Sequence, residues 1–186
     1  MKVYIKNKLW SVGGDSSVVD ENKNPVFQVK GRIFSITKVK YICNQEGKHL
    51  FKVRNKWFNW FIHKAYIYDS NKHKIATVKD KMFNTNQEYF VLGYKDEIKI
   101  QGKFFGRTTQ ILKNGEIVGT ITRQITIVND AFELETNEED LAFLVALVLH
   151  FFYSIIKNKN KNLPNSQEFQ YHYLRLKGIH HNPLYR

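Results

Sequence analysis

The chain is poor in the features that usually announce chemistry. It has one cysteine in 186 residues, Cys43, so no intramolecular disulfide can form. That cysteine lies in an apolar strand context, where a buried, inert thiol is expected rather than a reactive one. No Walker loop and no G-x-G-x-x-G are present, and Gly13-Gly14 reads as a turn between two strands. Asp20-x-Asn22-x-Asn24 imitates the opening of a calcium loop. Position six, however, is Pro25 where glycine is required, and position twelve is Gly31 where a glutamate should chelate. Histidines 49, 63, 73, 172, 180 and 181 have no zinc-type spacing with Cys43 or with one another. No Ser/His/Asp order and no paired carboxylates stand out. The expectation is a non-enzyme with no metal site and no cofactor.

Acidic residues are also scarce: 17 Asp and Glu against 29 Lys and Arg, a formal net charge of +12. Such an excess attracts anionic partners, whether phospholipid, nucleic acid or acidic protein. Composition offers a plainer account, because Lys, Asn and Ile are abundant throughout. The N-terminus, Met1-Lys2-Val3-Tyr4-Ile5-Lys6, alternates like a strand and has no apolar core of a signal peptide. A cytoplasmic protein is expected, with room for peripheral contact at the inner membrane surface.

What the chain does have is a repeat. A basic residue, a bulky apolar one, Phe or Trp, then a small or polar one recur as Lys8-Leu9-Trp10-Ser11, Arg32-Ile33-Phe34-Ser35, Lys56-Trp57-Phe58-Asn59, Lys81-Met82-Phe83-Asn84 and Lys103-Phe104-Phe105-Gly106. A weaker sixth copy is Arg123-Gln124-Ile125-Thr126. The basic residues step by 24, 24, 25, 22 and 20 positions. A fixed period of this size marks repeated supersecondary units. Turn-forming clusters fall near the middle of the intervals, at 20–25, 44–48, 69–72 and 113–116. Period-two alternation follows each, and Asn114-Gly115 between apolar runs is a strong hairpin signal. The pattern predicts twelve antiparallel strands, near 2–10, 16–20, 25–34, 37–43, 48–58, 62–69, 73–83, 88–94, 97–105, 107–113, 116–123 and 125–134.

After the last strand the pattern changes. Thr136-Asn137-Glu138-Glu139 has the form of a capping box, with Thr136 as cap, and acids suit the positive end of a helix. Residues 141–156 are then almost wholly apolar, so the predicted helix, 137–157, has no polar face and must be buried all round. Sixteen residues span roughly 24 Å, short of a hydrocarbon core, and His150 lies mid-run. No transmembrane span is expected. A twelve-stranded barrel has a lumen too wide for strand side chains alone, and a helix without a polar face fills it. His150 is expected to be a neutral core histidine bonded to a strand carbonyl or water, with a proton-linked switch as the alternative.

These features resemble the LURP-one-related family. The carriers are the repeated basic-x-Phe motif, the Asp/Asn-rich turns and the acid-flanked apolar helix beginning Asp140-Leu-Ala-Phe-Leu-Val-Ala-Leu. The resemblance covers about residues 1 to 157. It implies the Tubby C-terminal-like fold shared with phospholipid scramblases, mainly β, a closed antiparallel barrel around a central hydrophobic C-terminal helix. It implies no established catalytic residues. Residues 158–186 stand apart as a polar linker and tail, with a short helix readable from Asn165 or Ser166 to Lys177.

The repeated cations are the candidate site. Lys8, Arg32, Lys56, Lys81, Lys103 and Arg123 occupy equivalent places in successive hairpins, so they would approach one level of the barrel. With Trp57 and Trp60 nearby, they would suit anionic phospholipid head groups. The plainer alternative is a structural motif, aromatic inward and base toward water. A nucleic-acid partner is disfavoured because no recognition motif appears and the charges are dispersed along the sequence. A small-ligand carrier is weaker still, since the helix fills the lumen.

Overall fold

In the computed structural model, residues 1–6, 16–31, 39–56, 64–81, 86–103, 107–124 and 131–162 are described. All twelve strands are there: β1 (Lys2–Lys6), β2 (Ser16–Asp20), β3 (Pro25–Lys30), β4 (Val39–Cys43), β5 (His49–Asn55), β6 (Lys64–Tyr68), β7 (Lys74–Lys81), β8 (Asn86–Leu92), β9 (Ile98–Lys103), β10 (Thr108–Lys113), β11 (Glu116–Gln124) and β12 (Ala131–Thr136). Each pairs antiparallel with its sequence neighbours, and β1 pairs with β12 to close the barrel. The terminal ammonium of Met1 donates to Thr136 O at 2.6 Å and Thr136 N donates to Met1 O at 2.9 Å, so the seam is bonded to its end. Closure leaves no sheet edge to template aggregation.

The polar clusters form the tight turns expected of them. Asn24 N donates to Asp20 Oδ1, Lys48 N to Asn44 Oδ1 and His73 N to Asp69 Oδ1, each at 2.8 Å. Asn114 and Gly115 both take positive φ, 51° and 89°, as a two-residue hairpin with the proper twist requires. The Asp20–Asn24 carboxamide bond also holds the Asp20 carboxyl below its ordinary range, so this segment is a turn with its oxygens engaged. At Gly31, φ is +124° and an added Cβ would stand 2.5 Å from Val39 O, so no side chain fits.

The helix α1 runs Leu141–Asn162. Its start differs from the capping box read in the sequence. Thr136 stays at the end of β12, where its hydroxyl donates to Val118 O at 2.7 Å and accepts from Glu138 N. The cap is Asp140, whose Oδ1 accepts from Phe143 N at 3.2 Å. The acids therefore lie before the helix rather than within its first turn.

Residues 143–151 of α1 are buried on every face, from Phe143 at 1% exposure to Val145, Ala146, Leu147 and Val148 at 0%. Around them stand the inward residues of the strands, among them Val3, Val29, Ile42, Val53, Ile67, Val78, Ile100, Ile111, Ile121 and Leu134. Each large apolar side chain so buried contributes about 1.5–3 kcal/mol. No helix among the described residues is long and apolar enough to cross a membrane.

The chain divides into two compact units, Met1–Phe151 and Phe152–Arg186. The segment 165–177, where the sequence suggests a short helix, lies outside the described residues.

Candidate functional site

In a closed up-and-down barrel all odd-numbered strands finish at one end. Here that end is marked by Lys6, Lys30, Asn55, Lys81, Lys103 and Gln124. The tight turns lie at the other. Four of the candidate cations reach the first end: Lys56 directly after β5, Lys81 and Lys103 closing β7 and β9, and Arg123 one residue before the close of β11. Lys56 is exposed, and its N–H donates to Lys64 O at 2.9 Å. Strand β8 links two of the others by register, Glu88 to Lys81 and Asn86 to Lys103. Lys8, Arg32, Trp57 and Trp60 lie outside the described residues.

Arg123 differs from the outward position expected of it. It lies two residues beyond Ile121, which is 1% exposed, and in register with Phe132, which is 2% exposed. Alternation therefore turns it to the inner face, where its Nε is out of reach of solvent. The sixth motif copy was the weakest, lacking an apolar residue after the base, and the structure gives the physical reason: here the base itself takes the inward position.

Arg123 as a whole is half-buried, whereas a second cation is buried outright. Lys40 of β4 is 1% exposed and its Nζ donates to Leu149 O at 3.3 Å. Burial pushes its ammonium down to about 8. Beside it in sequence on the helix, His150 Nδ1 donates to the Asn55 carbonyl oxygen at 2.7 Å, and Tyr89 meets the imidazole edge-on at 6.0 Å. His150 is thus a hydrogen-bonded core histidine, with a side-chain amide rather than the expected strand carbonyl or water as partner. Lys40, Asn55 and Arg123 all lie within two residues of the strand termini at the basic end, so the lumen is apolar at its middle and polar there.

The tight-turn end has the opposite character. Tyr94, Asp96, Lys113, Glu138, Asp140 and Phe143 help line a cleft of about 590 Å³. Tyr94 stacks on Phe143 at 3.9 Å and its hydroxyl donates to Asp140 Oδ2 at 2.6 Å. Burial, with that carboxylate beside it, raises the tyrosine's pKa and keeps it protonated. Lys113 lies 2.8 Å from Glu138 and 3.5 Å from Asp96, and the bond to Glu138 raises its pKa. These acids are engaged in fastening the start of the helix. No group of three or more metal-ligating side chains occurs among the described residues.

The cations on the outer wall divide into two populations. Lys2 pairs with Glu133 at 3.0 Å and Lys99 with Glu88 at 3.0 Å. On β5 to β7, Lys52, Arg54, Lys64, Lys74 and Lys79 face outward, and no carboxylate among the described residues lies within ion-pair distance of any of them.

The family model described as LURP-one-related matches residues 1–152. An X-ray structure of a protein from Arabidopsis thaliana superposes with a TM-score of 0.51 at 17% identity, covering 80% of this chain and 88% of that one. At that identity the likeness is one of fold. No match is found among curated proteins.

Proposed function

The chain belongs to the LURP-one-related family, and on that footing we propose that it is a non-catalytic binding protein. Its ligand in this reading is the anionic phospholipid head group, met at the inner membrane surface by a cytoplasmic, peripherally attached molecule. Residues 1–157 would act as the binding barrel and 158–186 as a polar tail. The observation that carries the reading is the common end reached by β5, β7 and β9, which gathers Lys56, Lys81 and Lys103 although they are 22 to 25 residues apart in sequence. Each basic residue near an anionic surface contributes about 1 kcal/mol, and the attraction decays within a Debye length. The remaining excess of positive charge adds long-range attraction.

The test is sedimentation with neutral and with phosphatidylserine-containing vesicles at two salt concentrations. Binding is expected only to the acidic vesicles, and weaker at high salt. Reversing Lys56→Glu and Lys81→Glu together removes two attractions and adds two repulsions, so affinity should fall by about tenfold or more. Reversal of Lys56, which is exposed, should by itself hardly move the melting temperature, because exposed charge changes alter stability by under about 0.5 kcal/mol. Equal, negligible pelleting with both vesicle types would sink the reading.

A further inference from the structure

We propose that the outer face of β4–β7 is a binding surface for single-stranded nucleic acid. This goes beyond the lipid reading and rests on side chains of the barrel wall. The charges that look dispersed along the sequence are brought together by strand register. One row across the sheet reads Tyr41, Lys52, Tyr68, Lys74, each in register with the next. The next row places Arg54 between Val39 and Tyr66. The third sets Lys64 against Lys79 and Lys79 against Phe90. Rings and cations thus alternate across the first row, while along the strands two cations follow one another on β5 and two tyrosines on β6.

The cations are held close to the rings. Lys52 Nζ lies 5.9 Å from the Tyr41 centroid and 5.6 Å from that of Tyr68, and Lys74 Nζ lies 5.7 Å from Tyr66. No carboxylate among the described residues pairs with Lys52, Arg54, Lys64, Lys74 or Lys79. The patch stops on the β8 side, where Glu88 takes up Lys99.

Two features select the partner. Lys52 and Arg54 are two residues apart on β5, a spacing of roughly 7 Å, and Tyr68 and Tyr66 follow the same step on β6. A phosphate backbone along β5 would meet a cation at each step while its bases reach rings on the neighbouring strand. That combination of cation track and stacking platform is what sequence-tolerant single-strand binding uses. The second feature is curvature. Twelve strands around a closed barrel turn about 30° each, so the outward directions at β4 and β7 differ by about 90°. A flat lipid surface touches one or two of these strands at a time, whereas a flexible polyanion wraps all four.

Fluorescence anisotropy of the full chain with labelled oligo-dT, oligo-U and a DNA duplex tests the proposal, with phosphatidylserine vesicles as a parallel arm. Both single strands should bind more tightly than the duplex. Tyr66→Thr with Tyr68→Thr retains strand-forming residues and should weaken single-strand binding about tenfold or more, leaving the salt dependence unchanged. Lys52→Gln with Lys74→Gln should lower the slope of log K against log salt by roughly 1.4, at about 0.7 per phosphate contact. Neither pair includes the cations assigned to lipid, so vesicle binding should persist in both variants. Three results overturn the proposal: binding indifferent to the tyrosines, equal affinity for duplex, or loss of vesicle binding in place of oligonucleotide binding, which would make this face a membrane contact. Should the tyrosine pair fail to fold, the lysine pair decides through the slope and the vesicle arm.

Discussion

Lys40 gives the fold an unusual dependence on pH. The residue is 1% exposed and burial lowers its pKa from 10.5 to about 8. A basic group whose pKa is depressed in the native state burdens stability wherever it must carry its proton, below the folded value. As pH rises from about 8 toward 10.5, the native chain releases that proton while the unfolded chain keeps it, and stability rises. The shift of 10.5 to about 8 corresponds to about 3 kcal/mol at pH 7. By pH 9.5 the same two values leave a burden of about 1 kcal/mol, so about 2 kcal/mol is recovered. Lys40→Met places an apolar side chain of similar length in the same space and removes the titration. We expect this variant to be more stable at pH 7, by about 1–3 kcal/mol, since replacing buried charge by well-packed apolar groups is often stabilising. Urea unfolding of both proteins from pH 7 to 9.5 measures this, and the difference cancels the other lysines and tyrosines that titrate in common. The gap should close as pH rises. A gap that stays constant, or a variant less stable at pH 7, would refute the reasoning and mean that the ammonium is compensated by partners around it.

Two further outcomes probe the core. Leu144, 3% exposed in the lumen, should not tolerate Leu144→Asp, because an isolated carboxyl there costs several kcal/mol even when neutralised, out of a total of about 5–15; soluble mutant with a cooperative melt would show that the helix is not central. Asn55→Ala leaves the His150 Nδ1 of a 1%-exposed imidazole without its amide partner and should lower stability by about 1–3 kcal/mol, read by chemical denaturation, and an unchanged midpoint would mean the 2.7 Å bond is not what holds the histidine.

Much of the architecture is legible in the sequence, because it rests on local signals. The 20- to 25-residue repeat sets the number of hairpins, and Asp, Asn and Gly set the turns through their own backbone chemistry. A helix without a polar face can be satisfied only by a sheath. What tertiary structure alone decided is which phase of each strand faces in. In β4, Val39, Tyr41 and Cys43 form the more apolar phase, yet Lys40 and Ile42 point inward, in register with Val53 and Phe51, and the register shift at Ile42/Cys43 then buries the cysteine as well. Alternation divides a strand into two sides without naming the inner one; pairing with neighbours and closure name it. The same holds for Arg123, a surface cation by sequence and an inner-face residue by register with Phe132. The helix cap moved from Thr136 to Asp140 because closure of β12 on β1 keeps Thr136 in the sheet. The cation–tyrosine lattice of β4–β7 had no local signature at all: its members lie up to 38 positions apart, from Tyr41 to Lys79, and only register across four strands makes them neighbours.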